Sequence, residues 1–150
     1  RRAVTALVID ASIAIKWVVE EAGTPEALTL KARVRLAAPD LLVPECANIL
    51  WKKVQRKELA RDEALIAARL IAGADIELFP MRALCEPASR LAIDTDHPAY
   101  DCMYLALAEA QGWALVTADQ RLLRKLRQAD RSRLKCRVLS LAEAASQGRP

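Results

Sequence analysis

Apolar residues along this chain fall into two kinds of run. Short unbroken blocks, such as Ala6-Leu7-Val8-Ile9 and Ala114-Leu115-Val116-Thr117, stop abruptly at a polar or turn-forming residue. Between them, apolar residues recur three and four positions apart, as Cys46, Ile49, Leu50 and Val54 do. A short continuous apolar block bounded by turn formers reads as a strand buried on both faces, and the wider spacing reads as one face of a helix.

The pattern predicts strands over 6–9, 39–43, 76–79 and 114–117, with 137–139 as a last edge strand. It predicts helices around Ala14, Trp17 and Val18, from Pro25 with Thr24 as its cap, and over 44–57 and 62–71. Further helices are predicted over 81–93, 99–111, 122–126 and 141–145, with 94–98 as a loop. Proline suits a first helical turn, where a missing N–H leaves nothing unbonded, and Gly73 and Gly112 end the helices before them. Strands alternating with helices imply a doubly wound α/β/α sandwich around a central parallel sheet of about five strands. No repeat, low-complexity tract or linker interrupts the 150 residues, so a single domain over 1–150 is expected.

Composition narrows this picture. The chain is 53% hydrophobic, which argues against disorder. No uncharged run approaches the roughly 18 residues that span a bilayer. Asp10 and Lys16 interrupt the N-terminal apolar run before it could serve as a secretory signal. A soluble cytoplasmic protein with no membrane partner is expected, and Arg1 in place of methionine reads as an engineered or trimmed start. The 4 cysteines include no C-x-x-C pair and there is 1 histidine, which argues against zinc and for buried thiols in a reducing compartment.

Lysine and arginine outnumber acids 23 to 19, a formal net charge of +4 that fits an anionic partner such as nucleic acid. The basic residues gather in two stretches. One holds Lys52, Lys53, Arg56, Lys57 and Arg61, and the other runs from Arg121 through Arg124, Lys125, Arg127, Arg131, Arg133 and Lys135 to Arg137. A solvated face explains such a run as readily as phosphate contact does. Lys52, Lys53, Arg56, Arg121 and Arg124 are the candidates for RNA contact. The three tryptophans, Trp17, Trp51 and Trp113, read as core or interface anchors, with Trp17 the best placed for a partner.

Four acids stand where apolar strands are expected to stop. Asp10 follows the first block, Glu45 follows Leu41-Leu42-Val43-Pro44, Asp101 opens a helical run, and Asp119 closes the block at 114–117. Ionised groups resist desolvation, so buried strand ends are a costly place for them. In open α/β sheets the crevice beyond those ends is also where ligands bind. Carboxylates about 5 Å apart repel by roughly 3 kcal/mol per pair at an effective dielectric of 20. Four acids converging there call for a cation or for raised pKa values, and an all-oxygen set selects magnesium, with manganese as a substitute.

These residues carry a family resemblance. Val8-Ile9-Asp10-Ala11-Ser12 resembles the first motif of PIN-domain nucleases, and Pro44-Glu45-Cys46-Ala47-Asn48 resembles the second. The run from His97 through Tyr100-Asp101-Cys102 to Ala108 is similar to the third, and Thr117-Ala118-Asp119-Gln120-Arg121 to the fourth. Order and spacing are similar to VapC-type toxins of bacterial toxin–antitoxin pairs. The resemblance implies a magnesium-dependent endoribonuclease, a VapB-like antitoxin, and a homodimer that can build into a larger assembly. It carries Asp10, Glu45, Asp101 and Asp119 over as catalytic and metal-binding, with Asp10 and Asp101 as direct ligands. Glu45 and Asp119 would be ligands or would orient the attacking water. Ser12 and Thr117 would support a bound water or phosphate, and Cys102 would be packing.

Plainer readings stand beside these. Asp119 alone could be a helix cap, and Asp94 and Asp96 look like solvated or capping loop acids. The single histidine, His97, cannot supply the paired acid and base of a metal-free ribonuclease, so ordering the loop before Pro98 is the expected role. No phosphate-binding glycine loop is present. Two other classes remain: a catalytically silent PIN-fold binding module, and a receiver-type phosphoryl-accepting domain. The receiver reading wants adjacent acids near the first strand, and a haloacid-dehalogenase-like phosphatase wants an aspartate where Ser12 stands.

Overall fold

A computed structural model describes residues 5–128 and 134–147 of the chain. Arg131 and Arg133 of the second basic stretch lie outside the described residues. Five parallel strands form one sheet: β1 (Ala6–Ile9), β2 (Arg35–Pro39), β3 (Glu77–Phe79), β4 (Ala114–Thr117) and β5 (Val138–Ser140). Their order across the sheet is β3-β2-β1-β4-β5. The chain winds outward from β1 to β3, then crosses back to place β4 on the other side of β1. The β1–β4 pair is therefore the topological switch point, with Val8 beside Leu115 and Ile9 beside Val116.

The helices are α1 (Ala11–Ala14), α2 (Thr24–Arg33), α3 (Leu42–Gln55), α4 (Arg61–Ala72), α5 (Cys85–Thr95), α6 (Ala99–Gln111), α7 (Gln120–Gln128) and α8 (Leu141–Ser146). Helices cover both faces of the sheet, so β4 is buried along its whole length. Helix α6 packs on β1, β2 and β4. Six residues in its centre and second half, Cys102 and Tyr104 through Ala108, are buried, as expected of a helix apolar on nearly every side.

The second strand differs from its prediction. It ends at Pro39 instead of starting there, and residues 41–43 belong to the entry of α3, with Leu42 in the core. A short apolar run between two prolines has the composition of either element, and pairing decides. Pro39 can close the ladder because the next amide, that of Asp40, donates to the Phe79 carbonyl at 2.9 Å. Pro44 falls inside the first turn of α3, where no N–H is missed. Helix α5 runs on to Thr95, whose hydroxyl donates to the Leu91 carbonyl at 2.6 Å, and a 3-10 turn, Arg82–Leu84, precedes it. Thr24 does not cap α2: it is the first helical residue, and its hydroxyl accepts the Glu21 amide at 3.0 Å and donates to the Val19 carbonyl.

All four cysteines are free. Cys46 and Cys102 are buried as expected, whereas Cys85 is exposed. Among the described residues no helix is long and apolar enough to cross a membrane.

Gly112 ends α6 at φ +71° with no atom within 4 Å of the position a Cβ would take. Gly23, at φ +89°, would set a Cβ 3.1 Å from Leu141 and 3.3 Å from Lys16. Gly112→Ala should cost about 1 kcal/mol, from backbone strain alone, and Gly23→Ala should cost more. Urea denaturation of the two variants checks the order, and a reversal would contradict the close approach of Leu141 and Lys16 to Gly23.

Candidate functional site

Asp10 is the first residue past β1. Its backbone is extended and its carboxylate caps α1, with Oδ1 accepting from the Ser12 amide at 3.1 Å and from the Ser12 hydroxyl at 2.5 Å. The Thr117 hydroxyl, fully buried at the end of β4, donates to Oδ2 at 2.5 Å. These two hydroxyls are themselves fixed: the Ala118 amide donates to Ser12 Oγ at 2.9 Å and the Asp119 amide to Thr117 Oγ1 at 3.1 Å. Carboxylate, hydroxyls and amides thus lace the mouths of β1 and β4 together across the switch point.

Asp119 caps α7, its Oδ1 accepting from the amides of Arg121 (2.9 Å) and Leu122 (3.1 Å). Glu45 lies in the first turn of α3, half-buried, and its Oε1 accepts from the Tyr104 hydroxyl at 3.2 Å. Asp101 lies in the first turn of α6, where His97 Nε2 stands 2.6 Å from its Oδ2. Negative charge is favoured at such helix starts. Asp94 is exposed on α5, and Asp96 ends that helix in a left-handed conformation at φ 50°. Neither joins the site.

The four acids share one electrostatic neighbourhood. Burial pushes the Asp10 carboxyl up to about 6, against the pull of the Ser12 and Thr117 hydrogen bonds, and the charges of Asp101 and Asp119 raise it further. Burial likewise lifts Glu45 to about 7, opposed by Tyr104 and reinforced by Asp101 and Asp10. The same two acids, Glu45 and Asp10, add to the burial that raises the Cys46 thiol to about 12.

An all-oxygen set of this charge fits a hard divalent cation by donor chemistry. Among the described residues, however, no three acidic, histidine or cysteine side chains are grouped tightly enough to enclose an ion as they stand. Asp10 gives an oxygen to each hydroxyl, Asp119 gives one to its cap, and Asp101 gives one to His97. The carboxylates are gathered but not closed. A larger cavity of about 610 Å³, lined by Leu126, Leu134, Cys136, Leu139 and neighbours, contains none of the four acids.

Of the basic candidates, Lys52, Arg56, Arg121 and Arg124 are exposed, the last two on α7 directly after Asp119. Lys53 is committed elsewhere, 3.2 Å from Glu21 and 3.6 Å from Glu58. Trp17 packs against the core and its Nε1–H donates to the Ala27 carbonyl at 3.1 Å, while Trp51 is the exposed tryptophan. Tyr104 and His97 are the site residues the sequence did not reveal as such. The spacing of four between His97 and Asp101 was a usable signal, whereas nothing local links Tyr104 to Glu45, 59 positions away.

The PIN domain model matches residues 7–128, and with it the span holding all four acids. The chain belongs to the PIN-domain family. Within that family it lies with the VapC proteins: Ribonuclease VapC3 of Pyrobaculum aerophilum is 33% identical over 122 residues, which covers 79% of this chain and 93% of the relative. Solved structures agree on the fold. PAE2754 from Pyrobaculum aerophilum superposes with a TM-score of 0.71 at 22% identity, covering 96% of this chain and 89% of that one. DNA-bound VapBC from Salmonella typhimurium gives 0.61 at 16% identity, covering 91% and 98%.

Asp10 and Glu45 both bind a proton more tightly in the folded chain than their ordinary values of 3.8 and 4.5 allow in the unfolded one. Their contribution to stability is thus fullest at acid pH. It is lost as pH climbs from about 4 through about 6 for Asp10 and about 7 for Glu45. Asp10→Asn removes one of these charges and keeps a polar group for Ser12 and Thr117. With EDTA present, the variant should gain stability over the parent at pH 8, on the order of 2 kcal/mol. At pH 4.5, where the unfolded carboxyl is already largely ionised, the gain should shrink to roughly a third of that. Thermal melts at the two pH values decide, and an equal difference at both would refute the burial of charge at Asp10.

Proposed function

We propose that the chain is a VapC-type endoribonuclease that cleaves RNA with the help of magnesium and is neutralised by a VapB-like antitoxin. The observation that carries this reading is the gathering of buried Asp10 and half-buried Glu45 with further acids beside them. Burial pushes the two carboxyls up to about 6 and 7, Asp101 raises both further and Asp119 raises Asp10, and no lysine or arginine offsets either among the described residues. A divalent cation is the group that balances it, and manganese is expected to substitute. Bound there, magnesium would lower the pKa of a water and offset charge on the phosphate.

Asp10 and Asp101 are the residues assigned to hold the ion. Ser12 and Thr117 lock the Asp10 carboxylate, so that one orientation is retained when a ligand arrives. Glu45 is half-buried with Tyr104 on Oε1, and a carboxyl titrating near 7 is matched to accepting a proton from an attacking water at Oε2. Asp119 holds the start of α7, and with it Arg121 and Arg124, whose exposed guanidinium groups are suited to phosphate.

The partner reading rests on relatives and on surface. A neighbour of the same fold was solved as VapBC bound to DNA. On this chain α3 and α4 expose Trp51, Ile66 and Leu70, apolar area of the kind that partners cover. A homodimer and a cytoplasmic setting complete the proposal. The receiver alternative is disfavoured by topology, since a receiver sheet runs 2-1-3-4-5 and this one runs β3-β2-β1-β4-β5. The silent PIN module has one observation in its favour, that the acids do not close around an ion as they stand.

Incubation with a mixed RNA pool separates the two. Cleavage should appear with magnesium, vanish with EDTA, and fall at least 100-fold in Asp101→Asn with magnesium restored, an estimate in line with removing a metal ligand's charge at an acidic site. Cleavage that survives both EDTA and Asp101→Asn would rule out this mechanism. Absence of cleavage across a full transcriptome pool, with magnesium failing to raise the melting temperature, would favour the silent module.

A further inference from the structure

The acids of the site are not all held in the same way. Asp10 and Asp119 cap helices, and their orientation follows from backbone amides. Asp101 is the third residue of α6, after Pro98 at the cap position and Ala99 as the first helical residue. A glutamate or glutamine at that position can reach back to the amide of the cap residue, as in a capping box. Pro98 has no N–H, so that partner does not exist. The carboxylate instead meets His97, with Nε2 2.6 Å from Oδ2, and no bond to Oδ1 is formed among the described residues.

His97 is held firmly for this contact. Its side chain is 6% exposed, against 35% for Asp101. Its amide donates to the Ala92 carbonyl at 3.2 Å, and its carbonyl accepts from the buried Cys102 thiol at 3.9 Å. The peptide before it is anchored from α7, because Lys125 Nζ donates to the Asp96 carbonyl. Asp96 takes the left-handed turn that brings the ring over the first turn of α6. Three elements thus converge to fix one imidazole against one carboxylate.

We propose that His97 is a positioning residue for Asp101, donating from Nε2–H to Oδ2 and thereby presenting Oδ1 to the acidic site. This rests on the metal-site reading above. Histidine–carboxylate contacts behind a ligand fix its orientation, and losing such a partner typically weakens metal binding by roughly 10–100-fold. A carboxylate accepts only, so the ring must donate from Nε2, whatever its second nitrogen does.

The chain contains 1 histidine, so its side-chain nitrogens give an unambiguous signal in ¹⁵N NMR. In the metal-free protein Nε2 should carry a proton, and Asp101→Asn should shift both ring nitrogens. Manganese affinity, measured by calorimetry, should fall roughly 10–100-fold in His97→Leu and largely recover in His97→Gln, whose amide reaches the place of Nε2. His97→Asn, polar but too short to reach Oδ2, should behave like His97→Leu and serves if the leucine variant fails to fold. An unprotonated Nε2, ring signals indifferent to Asp101→Asn, or parental affinity in His97→Asn would each overturn the proposal. If the parent protein bound no manganese, the metal site itself would fall, and the ring signals would still decide whether His97 orients Asp101.

Discussion

The structure of the site depends on how one carboxylate is gripped. Asp10 sits where β1 meets open space, and its two oxygens take the hydroxyls of Ser12 and Thr117, residues 105 positions apart. Those hydroxyls in turn receive the amides that begin the chain's exit from β4. A single acid therefore ties two strand ends together across the switch point. The arrangement carries a desolvation cost that the hydrogen bonds only partly offset, which is why the carboxyl remains displaced to about 6.

That cost is borne by the buried apolar core around it. Helix α6 is buried along most of its length against three strands, and it supplies both Asp101, in its first turn, and Tyr104, one turn further on. The same helix thus carries one acid and steadies a second, Glu45, that belongs to α3. Charge is concentrated at one end of the sheet while the apolar core runs beneath it. The proposed metal chemistry makes use of an imbalance the scaffold already bears.

Much of this was legible from residue order. The boundaries of α6 and β4 match their predictions because Gly112 stops the helix in a conformation that favours glycine and the strand is apolar at every position but its last. Asp10 feels the charges of Asp101 and Asp119, and Glu45 those of Asp101 and Asp10, while Asp10 and Asp119 also cap helices. Residues 39–43 were misassigned, since three aliphatic residues between Pro39 and Pro44 have no period long enough to separate strand end from helix start. The loop-ordering role expected of His97 is joined by a direct bond to Asp101, which the spacing of four permitted but did not demand. Tyr104 was beyond reach, because its link to Glu45 exists only after α3 and α6 have packed.

The crossover that places β4 beside β1 has a consequence in time as well as space. A ribosome delivers β1, with Asp10 and Ser12, more than 100 residues before Thr117. Until β4 arrives, β1 has no neighbour on that side, Asp10 lacks one of its two hydroxyls, and Asp119 has not been made. Contacts so distant in sequence form late, since loop closure must come first. A nascent chain of this topology is therefore without a finished site until β4 and Asp119 emerge, and a nuclease built this way would be harmless to the messenger and ribosome producing it until then.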